Sequence, residues 1–88
     1  MVKNKPVTRV RLTLYGRTYC HLCDDMLAAL QSLHGEFDFE VTVLDVDADP
    51  ALEERYDERV PVLTAGEHEL CHYHLDIPRV RAYLASHC

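Results

Sequence analysis

The period of the hydrophobic pattern changes twice within the first half of the chain. Apolar and polar residues alternate over about 8–15, which predicts a first β-strand. From Cys23 the apolar residues recur at helical spacing, which predicts an amphipathic helix that stops near Gly35. Alternation then returns and predicts a second strand over roughly 37–46. Strand, helix and strand with short links predict a parallel βαβ unit with a right-handed crossover.

The second half of the chain predicts a short helix, a hairpin and a last helix. An Asp-Pro pair at 49–50 suits the cap and first position of a helix that runs to about Tyr56. The stretch "VPVLTAGEHEL" predicts two strands with a turn at 65–67, and a final helix begins near Asp76. The predicted order of elements is therefore βαβαββα.

Length and composition predict one folded domain. The chain has 88 residues, which is enough for one small core and too short for two. Apolar residues make up 48% of the chain and charged residues 27%, which is ordinary for a globular protein. We therefore expect a single, monomeric domain over 1–88, in which residues 1–7 form a flexible lead.

Charge and hydropathy argue against nucleic-acid and membrane partners. The formal net charge is −6, and Lys and Arg cluster only in short pairs near the N-terminus. No apolar stretch is long enough to cross a bilayer, and "MVKNKPVTRV" lacks the apolar segment of a signal peptide. We therefore expect a cytoplasmic protein, in which closely spaced cysteines indicate metal or redox chemistry more often than a structural disulfide.

Two cysteines stand three positions apart where the first strand gives way to the first helix, in "YGRTYCHLCDDML". Cys20 falls just before the helix and Cys23 about one turn inside it, so the geometry permits a disulfide. A sulfur at a helix N-terminus faces unpaired backbone N–H groups, which favour thiolate over thiol. Arg17 and protonated His21 act in the same direction, whereas the two aspartates after Cys23 oppose it.

The two cysteines receive different predicted roles. Cys20, nearer to solvent and beside an exposed Tyr19, is the predicted nucleophile. Cys23, deeper and one turn along, would resolve the mixed disulfide that Cys20 forms with a substrate. The alternative is a helix entry that uses cysteine only as a small apolar residue.

The chain resembles, over nearly its full length, glutaredoxin-like members of the thioredoxin superfamily, in particular small bacterial glutaredoxin-like proteins. The resemblance lies in "CHLC" after the first strand and in "RVPVL" at 59–63 before the hairpin. It implies a thioredoxin-like α/β fold, with a four-stranded mixed sheet flanked by helices, and an oxidoreductase that exchanges thiols and disulfides. It also implies that Pro61 follows a cis bond and lies against the dithiol, and that Val60 pairs its backbone with the substrate.

Three further residues near the nucleophile are candidates for substrate binding. Arg17 resembles the basic residue that binds the glutathione carboxylate in many relatives, and Tyr19 and His21 flank the nucleophile. The dipeptide between the cysteines is His-Leu, which differs from the Pro-Tyr of glutaredoxins and the Gly-Pro of thioredoxins, so the reduction potential stays open. "CHYHLD" replaces the Gly-Gly and Asp that help glutaredoxins hold glutathione.

The residues leave three functions open. The leading one is dithiol exchange with protein or low-molecular-weight disulfides, with no bound cofactor and with glutathione or a flavin reductase as the source of electrons. The second is an iron–sulfur cluster or metal carrier that uses the same cysteine. The third is a redox-inert module that binds peptides by strand addition beside Val60.

A second group of candidate metal ligands lies near the C-terminus. Its spacing matches no strong zinc pattern, so we expect no metal site there. We expect Cys71 to lie in the core and the terminal Cys88 to be exposed. The members of the group are Cys71, His72, His74, His87 and Cys88.

Overall fold

The structure, a computed structural model, describes residues 10–87. The lead expected at 1–7 and the terminal Cys88 lie outside the described residues. The described elements are β1 (Val10–Gly16), α1 (His21–Gln31), β2 (Phe39–Asp45), α2 (Pro50–Tyr56), β3 (Val62–Ala65), β4 (His68–His72) and α3 (Ile77–His87), with 3-10 turns at Ser32–Gly35, Val46–Ala48 and Asp57–Arg59. The predicted order βαβαββα is confirmed.

The four strands form one mixed sheet in the order β2-β1-β3-β4. β1 and β2 are parallel, with Gly16 opposite Asp45, and both are joined through the crossover helix α1. β3 runs antiparallel to β1 and to β4, so that Val62 pairs with Tyr15 on one side and His72 on the other. The ends of β1, β2 and β4 and the start of β3 therefore lie together, and we call this the carboxyl edge.

Helices α1 and α3 share one face of the sheet. Leu12 and Leu14 alternate along β1 toward this face, and both are buried in the larger core with Met26 and Leu30 of α1. Leu84 of α3 is buried in the same cluster. The amphipathic stripe predicted for α1 is thus the surface that packs on the central strand.

Helix α2 covers the opposite face through a smaller core. Val46, Tyr56 and Val62 are buried there, and the ring of Tyr15 stacks on that of Tyr56 with centroids 4.3 Å apart. Burial, and next to it the neighbouring Tyr15, raises the pKa of the Tyr56 phenol. The sheet is therefore the middle of three layers.

Two aspartates begin helices as the sequence predicts. The Asp49 carboxylate accepts a hydrogen bond of 2.9 Å from the Ala51 N–H at the start of α2, and Pro50 takes the first helical position. The Asp76 carboxylate accepts a bond of 3.1 Å from the Arg79 N–H at the start of α3. Each cap satisfies a backbone donor that has no partner within its helix.

The boundaries differ from the predicted ones where local geometry changes. Helix α1 ends at Gln31, and the chain tightens into a 3-10 turn before it reaches Gly35. β2 ends at Asp45 because Val46 turns into the smaller core. The hairpin turn has only Gly66 and Glu67 between the strands, and Gly66 adopts φ +62°.

Truncation of a fully buried side chain tests the packing of α1. Leu30 is 0% exposed, so Leu30→Ala should lower the free energy of unfolding by about 2–5 kcal/mol. The exposed neighbour Gln31 is the matched control, and Gln31→Ala should change that free energy by less than about 0.5 kcal/mol. Urea denaturation measures both, and equal effects would contradict the packing described.

Candidate functional site

Cys20 and Cys23 lie at the carboxyl edge, between the end of β1 and the first turn of α1. Their Cα atoms are 5.2 Å apart, and their sulfur atoms lie within disulfide-bonding distance. Cys20 is the N-cap of α1, and its Sγ accepts a 3.1 Å hydrogen bond from the Cys23 N–H. A sulfur therefore occupies the position that a Ser or Asp oxygen takes in most helix caps.

The two sulfurs differ in access to solvent. Cys23 is only 7% exposed, whereas Cys20 is half-buried and lies beside exposed His21. The preceding Tyr19 is 99% exposed and has φ +63°, a backbone conformation that turns the chain sharply into the helix. An incoming group meets Cys20 first.

Gly16 provides the space that Cys23 occupies. A Cβ placed on Gly16 would lie 2.9 Å from Cys23 Sγ, closer than real Cβ atoms approach, and 3.2 Å from Cys23 Cβ, which is a tight contact. Gly16 was not among the predicted site residues. A glycine that ends a strand directly before the cysteine pair was the available signal, because glycine in a strand often marks a close approach.

Val60 and Pro61 precede β3 and so lie at the carboxyl edge with the cysteines. The peptide bond between them is cis. Pro61 is buried, Val60 is half-buried and extended, and the Pro61 carbonyl accepts a 2.8 Å hydrogen bond from the Tyr73 N–H. The segment is thus held at the edge by the chain that leaves β4.

The guanidinium of Arg17 is already paired. It lies 3.4 Å from the Asp47 carboxylate and 3.2 Å from that of Asp57, and it also donates to the Asp57 carbonyl. These contacts tie the end of β1 to two 3-10 turns. An anionic ligand would have to compete with both carboxylates for this cation. The sequence did not indicate this pairing. The carboxylate-binding role of Arg17 stays a prediction.

A cleft of about 250 Å³ opens beside Cys23 on the β2 side. Val43 and Leu44, near the end of β2, form its apolar wall and are 54% and 39% exposed. The alternation predicted for β2 buries Phe39 but leaves Val43 exposed, near the end of a strand at the edge of the sheet. The cleft is lined by Leu14, Gly16, Arg17, Thr18, Cys23, Asp24, Leu27, Val43, Leu44 and Asp45.

The C-terminal group of cysteine and histidines is dispersed. Cys71 packs half-buried against the larger core, and this burial raises the pKa of its thiol. His72 contacts the Glu69 carboxylate at 3.0 Å, and His74 lies beyond the end of β4. Within residues 10–87 no cluster of three or more His, Cys, Asp or Glu side chains is placed to hold a metal ion.

None of the helices within the described range is both long and apolar enough to span a membrane.

Comparison with known proteins places this arrangement in a class. The fold and the cysteine pair after its first strand are those of a thioredoxin-like protein. Residues 11–85 match the family model described as Glutaredoxin-like domain (DUF836), so the chain belongs to that glutaredoxin-like family of the thioredoxin superfamily. No curated protein sequence matches the chain significantly.

Solved structures agree with this assignment. Protein Ne2328 from Nitrosomonas europaea is 43% identical, with a TM-score of 0.81 over 93% of this chain and 99% of that chain. Protein XcR50 from X. campestris is 41% identical, with a TM-score of 0.67 over 85% of this chain and 96% of that one. Thioredoxin 1 from Thermosipho africanus is 21% identical, covers 86% of this chain and 96% of its own, and shares the fold with a TM-score of 0.58. Family, fold and the CxxC pair together support a redox-type role.

Filling the space beside Cys23 tests the role of Gly16. A methyl group in Gly16→Ala would press on the Cys23 sulfur where it meets Cys20, and the free thiol can rotate away. We expect the disulfide form to lose about 1–3 kcal/mol relative to the dithiol, which raises the reduction potential by about 20–60 mV.

Equilibration of the protein with glutathione redox buffers measures that potential. Gly35→Ala is the matched control, since nothing lies within 4 Å of a Cβ at Gly35. A Gly16→Ala potential equal to that of the control would show that the close approach has no effect on the pair.

Proposed function

We propose that the protein is a thiol–disulfide oxidoreductase that works by dithiol exchange between Cys20 and Cys23. The observation that carries the proposal is the asymmetry of the pair. Cys20 caps the helix, is reachable from solvent and accepts a hydrogen bond from the Cys23 N–H. Cys23 is buried one turn along the helix. This asymmetry supports separate attacking and resolving roles.

The proposed reaction balances within the protein and its substrate. The Cys20 thiolate attacks one sulfur of a substrate disulfide, forms a mixed disulfide and expels the other sulfur as a thiolate that takes up a proton. The Cys23 thiolate then attacks Cys20 Sγ, closes the Cys20–Cys23 disulfide and releases the second substrate thiolate. Two electrons pass from the dithiol to the substrate. A thiol such as glutathione, or a flavin reductase, returns them.

Substrate positioning is assigned to the residues around Cys20. The extended backbone at Val60 offers strand-like pairing to a substrate chain, which would aim the substrate sulfur at Cys20. Tyr19 and His21, the exposed chain neighbours of Cys20, and buried Pro61, which follows Val60, complete the proposed binding surface. The exchange requires no bound cofactor.

Trapping of a mixed disulfide tests the roles of the two cysteines. Cys23→Ser cannot resolve the intermediate, so incubation with the disulfide of a small thiol should leave that thiol attached to Cys20. Peptide mapping by mass spectrometry locates the adduct and distinguishes it from adducts on Cys71 or Cys88. In the control, Cys20→Ser, disulfide reduction should fall by at least about 10³-fold because the nucleophile is absent. Full activity of Cys20→Ser would refute the assignment.

The pH dependence of alkylation tests the environment of each thiol. Cys20 Sγ accepts the Cys23 N–H at the helix start, so its thiol in the reduced protein should titrate below the free value of about 8.5. Burial raises the pKa of the Cys71 thiol, so Cys71 should react at higher pH only. Rates of iodoacetamide labelling, resolved by peptide, measure both. A Cys20 that titrates like a free thiol, together with no reductase activity, would favour a redox-inert module.

A further inference from the structure

Exposed apolar side chains are concentrated at the carboxyl edge. Single exposed apolar residues are normal on any protein surface, but a group in one place marks an interaction site. Tyr19 directly precedes Cys20, Val43 and Leu44 lie near the end of β2, and Tyr73 and Ile77 follow the end of β4. Among the described residues, these five are the large hydrophobic side chains that are exposed: Tyr19, Val43, Leu44, Tyr73 and Ile77.

Two of these side chains, Val43 and Leu44, line the cleft beside Cys23, on the side away from Pro61. β1 separates β2 from β3 in the sheet, so the cleft and the Val60-Pro61 segment lie on opposite sides of the cysteines. The volume of the cleft, about 250 Å³, is below that of most small-molecule pockets, which start at about 300 Å³. The cleft therefore suits one side chain of a larger molecule.

The charge at the cleft selects the kind of molecule. Two carboxylates, Asp24 and Asp45, line it and are exposed. Arg17, the only cation among its lining residues, is paired with Asp47 and Asp57. The chain as a whole has a formal net charge of −6. An incoming anion would be repelled, whereas a cation would be attracted.

We propose that this cleft binds an apolar side chain of a basic polypeptide substrate, close to the substrate's reacting cysteine. The proposal rests on the proposed function and specifies its substrate class. The step is the same exchange as above, in which the reduced dithiol gives two electrons to the polypeptide disulfide.

The spacing of the strands gives the length of substrate chain needed to reach from Val60 to the cleft. Neighbouring strands lie about 4.8 Å apart, so the path from β3 across β1 to β2 is about 10 Å, or about three extended residues. A polypeptide with one residue held beside Val60 would thus pass Cys20. A second residue of the same polypeptide, a few positions along, would reach Val43. Glutathione carries two carboxylates and no apolar side chain, so it fits neither the cleft nor its charge.

Single-turnover kinetics test the substrate class. The pre-reduced protein is mixed with excess disulfide, quenched with acid, and scored by mass for oxidation of its dithiol. The substrates are short peptides whose cysteine forms a disulfide with 2-mercaptoethanol. One has lysines and a leucine near the cysteine, one has glutamates and the leucine, and one has lysines and a serine. Glutathione disulfide and hydroxyethyl disulfide complete the set.

The Lys-Leu peptide should react at least about tenfold faster than the Glu-Leu peptide at low salt. That preference should shrink several-fold at about 0.5 M salt, because screening shortens the reach of surface charges. The Lys-Leu peptide should also react faster than the Lys-Ser peptide and than glutathione disulfide. A faster reaction of glutathione disulfide, or equal rates for the three peptides, would overturn the inference. In that case, reduction of hydroxyethyl disulfide would still support the proposed function.

Variants locate the preference in the cleft. Val43→Thr with Leu44→Thr should reduce the leucine-over-serine rate ratio, and Asp24→Asn with Asp45→Asn should reduce the lysine-over-glutamate ratio. Ratios are compared because a change in sulfur reactivity cancels from them. Glu67→Gln at the hairpin turn, at the opposite end of the sheet, is the control and should keep both ratios. Variant ratios equal to those of the control would overturn the cleft as the subsite. Failure of every disulfide to react would overturn the proposed function, and this inference with it.

Discussion

The packing of α1 on β1 is the contact on which the reactive end of the molecule depends. Met26 and Leu30 are buried against the same cluster as Leu12 and Leu14, so the helix cannot slide along the strand without opening the larger core. The short link from the end of β1 to the start of α1 therefore has little freedom. The positions of both sulfurs follow from the larger core, although neither cysteine belongs to that cluster.

The fold was predictable because its signals are local and repeated. Alternation in β1, the apolar stripe of α1 and the Asp-Pro start of α2 each come from short windows of sequence, and the structure confirms all three. The exact ends of the strands and helices were less predictable, since they depend on contacts with distant residues. β2 stops one residue early because Val46 is drawn into a core with Tyr56, a residue of the following helix.

The site was predictable only where its residues are neighbours in sequence. The cysteine spacing and the cap position of Cys20 required nothing beyond a strand followed by a helix. Pairing of Arg17 with two aspartates 30 and 40 positions later depends on how distant turns meet, which a pattern does not reveal. The same holds for Gly16, because the atom that a side chain there would contact, Cys23 Sγ, belongs to α1. Val60 and Pro61 were identified through resemblance to a family rather than from their own residue types.

The hydrogen bond from the Cys23 N–H to Cys20 Sγ has a consequence for how electrons are exchanged. Its donor belongs to the backbone of α1, whose first turn is closed by the 3.0 Å hydrogen bond from the Asp24 N–H to the Cys20 carbonyl. When a negative charge develops on Cys20, the dipole that stabilises it is already oriented. The charge on Cys20 is thus met by a donor that the helix backbone, and not a mobile side chain, holds in place.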